Sequence, residues 1–375
     1  MDTLFPDSYE TSRARFIRDV ELLRPKWHSS RLESYPLKTD PSLSIDYAWA
    51  EPRKKENLII ISTGLHGIEG YVGSGILKIF MDEFAPRLNI ENTGILLVHA
   101  INPWGMKNHR RVNENNVDLN RNFVWDENFD PKLNPDYEQL IPILNPPRPL
   151  SNVFLNSMAY YLRFISLYLR IEFSKIRLGM IFGQYRHPQG ASFGGQTTQE
   201  STQFMRGLLQ KTLEEYEQVI HLDLHTGYGP RYQMSFYNST REPALASELM
   251  KRFNYPLIVS GTTSNFYTTT GDIGDYFYQL RDEKYPAKKL FSTCFEFGTF
   301  GDSILAQIRI GRAFMMENRM FQFGTKSEAA RRAVKNEYEE MYFPVETKWR
   351  EKAMQDCRQA FEGIFSAYGI FSAAK

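Results

Sequence analysis

The sequence predicts an α/β fold, with a mixed, mostly parallel central sheet flanked by helices on both faces. Short apolar, β-branched runs alternate along the chain with longer segments of helical period. Strands separated by helices indicate a parallel sheet. Residues able to do chemistry sit just after those runs, where open α/β sheets gather functional groups.

A helical pattern covers Tyr9–Leu23, and strands are expected over Leu43–Ala50 and Leu58–Ser62, the latter an uninterrupted apolar run as far as Ile61. A helix follows over Tyr71–Phe84, then a strand over Gly94–Ile101. Farther on come helix Gln199–Tyr216, strand Val219–Leu224, helix Glu242–Phe253 and strand Leu257–Ser260. Helix Gly274–Arg281 and strand Leu290–Phe297 complete the alternation, and much of 303–368 is helical. Residues 126–150, rich in Pro and Asn, read as a long surface excursion. Candidate chemical residues lie on both sides of it, from 66 to 296. Residues 1–375 are therefore expected to form a single catalytic domain, with an insertion at about 126–198 and a helical C-terminal region at about 303–375.

A net charge of +1 gives no basic surface for nucleic acid. Cys294 and Cys357 are the two cysteines, too few for a disulfide framework, and a cytoplasmic, reducing location fits. The N-terminal segment "MDTLFPDSYETSRARF" is charged and does not read as a secretory signal. The most apolar long stretch, 153–182, carries Arg163, Arg170, Glu172, Lys175 and Arg177. It reads as a buried or amphipathic helix pair, because no charge-free span approaches the ~20 residues of a bilayer crossing. No membrane partner is expected.

The segment "TGLHGIEGY" places His66 and Glu69 among Gly64, Gly67 and Gly70, directly after a strand. Two histidines and a glutamate make one standard set of catalytic zinc ligands. At spacing three on a turn opening into a helix, His66 and Glu69 project to one side, while the glycines let the backbone approach an ion. A helix-capping pair would have the same spacing. In "HLDLHTGYG", His221, Asp223 and His225 share one face of a strand, with His225 at the open end and His221 deeper, as a core histidine would be. His99 fits a core or supporting role, and His28, His109 and His187 carry no supporting pattern. Glu296 ends a strand among Phe295, Phe297 and Phe300, a costly place for a carboxylate without a partner or a task. Beside a metal it would serve as general base and then general acid. A glutamate bonded to loop backbone is the plain alternative.

Taken together and in order, "GLHGIEG", "RVNENNVDLNRNF", "DLHTG" and "FEFG" resemble the zinc metallocarboxypeptidase family, the carboxypeptidase A-like clan, on the branch near aspartoacylase and succinylglutamate desuccinylase. The resemblance spans roughly residues 43 to 300. It implies Zn2+ held by His66, Glu69 and His225, with Glu296 as the catalytic glutamate. It assigns carbonyl polarisation to Arg111, with Arg110 as a weaker alternative, and the grip on a substrate carboxylate to Asn120 and Arg121. Asp118 becomes the carboxylate behind a zinc-binding histidine. Tyr267, Gly271, Asp275 and Tyr276 match the offsets of a mobile tyrosine segment, which would close Tyr267 over substrate. Gly274 then falls at the pocket floor and suggests one that is neither acidic nor filled by an apolar side chain.

The expected function is a zinc-dependent, metallocarboxypeptidase-like hydrolase that cleaves an amide or peptide bond next to a free carboxylate. Its partner would be a small peptide or N-acyl amino acid. The alternative is an N-acyl amino acid deacylase, aspartoacylase-like, which a closed pocket would favour. A non-catalytic binding protein on the same scaffold is the third reading.

Overall fold

The computed structural model describes residues 4–260 and 270–372. In chain order the helices are α1 (Tyr9–Leu23), α2 (Gly70–Ile79), α3 (Pro103–Lys107), α4 (Tyr137–Leu144), α5 (Val153–Tyr168) and α6 (Phe173–Ile181). They continue as α7 (Glu200–Glu215), α8 (Ala246–Phe253), α9 (Ile273–Lys284), α10 (Ile304–Phe323), α11 (Glu328–Tyr342) and α12 (Thr347–Ala367). The strands are β1 (Ser29–Pro36), β2 (Ser44–Glu51), β3 (Asn57–Thr63), β4 (Thr93–His99), β5 (Gln218–Gly227), β6 (Met234–Asn238), β7 (Ile258–Ser260) and β8 (Lys289–Gly298).

Among the described residues the strands form one eight-stranded sheet in the order β1-β2-β4-β3-β5-β8-β6-β7. Its centre, β4-β3-β5-β8, is parallel, and antiparallel pairings join β1 to β2, β2 to β4 and β6 to β8. Both faces are covered. Ser62 and Thr63 point to opposite sides of β3. Thr63 packs under Gly73 of α2, while Ser62 bonds His221, whose ring meets Phe277 of α9. Phe361 of α12 lies on the α2 side, against Phe80 and Phe295. β3 and β4 are buried on both faces, which explains their continuous apolar runs.

Two expectations change. β1 and β6 were not legible as strands: β1 is a largely polar edge strand formed by pairing with β2, with Arg31 stacked on Trp49. Residues 126–150 are more than a surface excursion, since α4 buries Tyr137, Leu140, Ile143 and Leu144 in a second core. Tyr160, Phe164 and Ile176 of α5 and α6 join that core, together with Met315 and Met316 of α10. The helix pair α5–α6 is amphipathic as expected, and the outer side of α5 is apolar, with Phe154, Leu155, Met158, Leu162 and Ile165 exposed. No helix of the described residues is long and apolar enough to cross a membrane.

His99 closes β4 fully buried, its ring stacked on Phe16 and its Nε2 2.7 Å from Ser12 Oγ. Burial pushes its pKa down from 6.5 to about 4. Between those values the unfolded chain binds the extra proton, so stability is full above the unfolded pKa and falls as pH drops toward the folded one. Acidification from pH 7 to 4 should therefore remove about 3 kcal/mol through this residue alone. Urea unfolding across that range checks it. A His99→Phe variant with the same pH slope would show that another group is responsible.

Candidate metal centre and active site

The parallel register of β5 and β8 sets His221 opposite Ser292, Asp223 opposite Cys294 and His225 opposite Glu296, all on one face. Ser62 of β3 stands opposite Asp223 on the other side. A polar line follows along that face. His221 Nδ1 lies 2.8 Å from Ser292 Oγ, and its Nε2 lies 2.9 Å from Ser62 Oγ. Ser62 Oγ donates to Asp223 Oδ1 at 2.6 Å, and Asp223 Oδ2 meets His225 Nε2 at 2.6 Å. His221 is thus bonded through both ring nitrogens, away from the triad below. Asp223, to which sequence reasoning gave no role, is the carboxylate behind His225. The D-x-H spacing on one strand face was the available signal.

His66 and Glu69 flank a single 3-10 turn, Gly67–Glu69, between β3 and α2. The glycines have a reason other than closeness to an ion. Gly64 holds φ +65°, and a Cβ on Gly67 would lie 2.1 Å from the Gly105 carbonyl carbon. The loop is pressed against the Gly105–Met106 backbone, and Gly67 N and Ile68 N donate to the carbonyls of Arg111 and Arg110. The two motif segments are therefore tied together by main chain. Neither His66 nor Glu69 caps the turn or α2 through its side chain, which removes the capping alternative.

Three buried donor groups meet at a point. His66 Nδ1 and His225 Nδ1 are 3.0 Å apart. Glu69 Oε1 lies 3.0 Å from the first and Oε2 3.1 Å from the second. Zinc at ~2.0–2.1 Å from tetrahedral ligands would separate them by about 3.3 Å, so the triangle is near the required size. Each outward Nε2 faces a carboxylate, Asp118 Oδ1 at 3.0 Å from His66 and Asp223 from His225. That pairing orients an imidazole toward a metal and raises its basicity. Thr226 N–H also fixes Glu69 Oε2, at 3.0 Å.

The charges agree with a divalent cation. Burial raises the Glu69 carboxyl, but the charge of His66 and the hydrogen bond from His225 overrule it and hold the group far below its ordinary value. Burial is likewise overruled at Asp118, chiefly by Arg111, and at Asp223, chiefly by His225. Positive charge on His66 and His225 thus helps Arg111 hold the three buried carboxylates ionised, and a divalent ion between neutral imidazoles would supply that positive charge instead.

A cavity of about 270 Å³ opens beside this centre. Glu296 lines it, accepts from Tyr228 N–H at 2.8 Å, and lies 3.9 Å from Cys294 Sγ. Burial, and then the charge of Glu69, push its carboxyl up to about 7. Arg111 reaches the cavity while binding Glu69 Oε1 at 3.1 Å and Asp118 Oδ2 at 3.1 Å. Arg110 points elsewhere, to Glu317 at 2.6 Å and the Phe321 ring.

Asn120 and Arg121 line the cavity but already hold protein partners. Asn120 Nδ2 donates to Asp272 at 2.9 Å, and Arg121 donates to the carbonyls of Ile181 and Asn120. A substrate carboxylate there would share or replace those bonds. Gly274 does line the cavity, yet Asp272 and Asp275 beside it line it too, so this wall is acidic rather than neutral. Burial, and then Asp272, raise Asp275 to about 6. Tyr267 lies outside the described residues.

The insertion walls the cavity, and so do the C-terminal helices, which gave no functional signal in the sequence. Arg177, Leu178, Met180 and Ile181 come from α6, Ile310 and Phe314 from α10, Met341 and Tyr342 from α11. Tyr338 of α11 accepts the Arg111 backbone N–H through its hydroxyl at 3.2 Å. Long sequence separation hides such contacts from motif reading.

A family model described as "Protein of unknown function (DUF2817)" matches residues 5–356. The chain belongs to that family. A search of curated proteins finds no match. Among solved structures, this DUF2817 chain is similar to bovine thrombin-activatable fibrinolysis inhibitor, at 12% identity and a TM-score of 0.46, over 90% of this chain and 100% of that one. It is similar to carboxypeptidase A from Helicoverpa armigera at 13% identity and a TM-score of 0.44, over 84% and 74% of the two chains. The succinylglutamate desuccinylase from Chromobacterium violaceum is similar at 12% identity and a TM-score of 0.38, over 81% and 72%.

Two variants test the centre's construction. Asp223→Asn should weaken zinc affinity about 10–100-fold, read by competition with a chelating dye. Undiminished affinity would remove Asp223 from that supporting role. Gly67→Ala should cost about 1–3 kcal/mol in thermal unfolding and weaken zinc binding with it, because its methyl meets backbone.

Proposed function

We propose that this chain is a zinc-dependent hydrolase that cleaves an amide next to a free carboxylate. The observation that carries the reading is the buried His66–Glu69–His225 triangle with carboxylates behind both imidazoles. The donor set suits zinc, which when bound supplies a Lewis acid and a water of lowered pKa.

The chain's own groups divide the remaining work. Glu296, on the strand next to His225 and poised near neutrality, takes a proton from the attacking water and returns it to the leaving amine. Arg111, held by Glu69 and Asp118 at the cavity wall, stabilises the developing oxyanion, a contribution of roughly 3 kcal/mol for one well-placed donor. Asn120 and Arg121 bind the substrate carboxylate. Arg177, Leu178, Met180 and Ile181 of α6 line the cavity, and a deacylase of N-acyl amino acids is the second reading. Two unpaired cysteines fit a cytoplasmic setting.

Glu296→Gln should keep zinc at wild-type stoichiometry while lowering kcat about a hundredfold or more. Metal analysis and turnover of N-acyl amino acids and free-carboxylate peptides check this together. Unchanged turnover would remove Glu296 from the chemistry. Chelation should abolish activity, and added zinc should restore it; turnover that persists in fully chelated enzyme would end the metallohydrolase reading.

A further inference from the structure

We propose that the acyl side of the substrate is an apolar chain, seated in a cleft that leads off the catalytic cavity between α5, α6 and α10. The proposal rests on the amide-hydrolase reading and names the substrate class for it. The cleft has a volume of about 80 Å³ and is walled by Phe164, Phe173, Ile176, Met180, Ile308 and Ile310. Arg177, Ile181, Tyr228 and Gly311 line both spaces, so the cleft adjoins the cavity.

The junction sits beside the reacting groups. Tyr228 N–H donates to Glu296 Oε1 at 2.8 Å and the same residue lines both spaces, which sets the mouth of the cleft beside Glu296. The polar tips at this junction are matched to each other: the Arg177 guanidinium lies 5.8 Å from the centre of that ring and donates to its hydroxyl. Beyond them Gln307 is the remaining polar side chain of the wall. A peptide entering here would meet one open acceptor, the buried Gln307 Oε1, and would leave most of its N–H and C=O groups unpaired, whereas methylenes gain by leaving water.

Gly311 supports the same occupant. It sits inside α10, where glycine weakens a helix by about 1 kcal/mol relative to alanine. A Cβ there would lie 2.3 Å from Met180 Cε and 2.8 Å from the Tyr160 hydroxyl. Any side chain at this position would drive the Met180 methyl out of its place beside the cleft.

The test is a series of N-acyl derivatives of one amino acid, acetyl through octanoyl, assayed as free monomers with the zinc-loaded full chain. kcat/KM should rise with chain length, by up to about fourfold per methylene until the cleft is full. Gly311→Ala and Ile308→Trp, the latter a half-buried position able to accept bulk, should each cut the octanoyl-to-acetyl ratio severalfold. A ratio that is flat or falls with length in the wild type, or that neither variant changes, would overturn the cleft while the hydrolase reading stands. Calorimetric binding of the N-octanoyl compound to zinc-loaded Glu296→Gln separates the two ideas. If the wild type hydrolyses nothing, saturable binding weakened by Ile308→Trp supports the cleft alone, and absence of binding ends it.

Discussion

β5 lies between β3 and β8, and its parallel register with both decides which side chains meet at the carboxyl edge of the sheet. His225 stands opposite Glu296 because Gln218 stands opposite Lys289, and Asp223 reaches Ser62 for the same reason. A slip of one residue would turn His225 to the other face and bring Leu224 in its place. The ligand triangle, the carboxylate behind His225 and the acidic group beside the cavity all rest on that pairing. The β3 loop then arrives at the same edge, tied by backbone hydrogen bonds to the segment carrying Arg111.

Electrostatics makes the arrangement coherent. Glu69, Asp118 and Asp223 are buried and ionised, which is tolerable only because each accepts hydrogen bonds and faces positive charge. Glu296, a short way off, has no basic side chain hydrogen-bonded to it among the described residues, and burial beside Glu69 holds its proton near neutrality. One small volume therefore contains carboxylates driven in opposite directions, the condition under which acid–base roles separate.

Around this core the insertion and the C-terminal helices supply shape rather than chemistry. α4, α5 and α6 share a second apolar core with α10 and α11, and of these helices α4, α6, α10 and α11 line the cavity. Chain length beyond the sheet thus becomes a wall of the cavity beside the His66–Glu69–His225 centre.

The sequence by itself determined the alternation of strands and helices, the positions of His66, Glu69, His225 and Glu296 at strand ends, and the polar character of the centre. Those features are local: apolar runs, period-two spacing and glycine-flanked turns are set by neighbouring residues. Only the tertiary structure decided that β1 and β6 are strands, since edge pairing and not their own pattern forms them. It also decided that Asp223 backs His225, that Asn120 and Arg121 are held by Asp272 and by main-chain carbonyls, and that Gly67 is required by Gly105. It alone brought α6, α10 and α11 to the cavity. Each of these depends on groups far apart in the chain, whose approach is fixed by packing and register and leaves no periodic trace in the sequence.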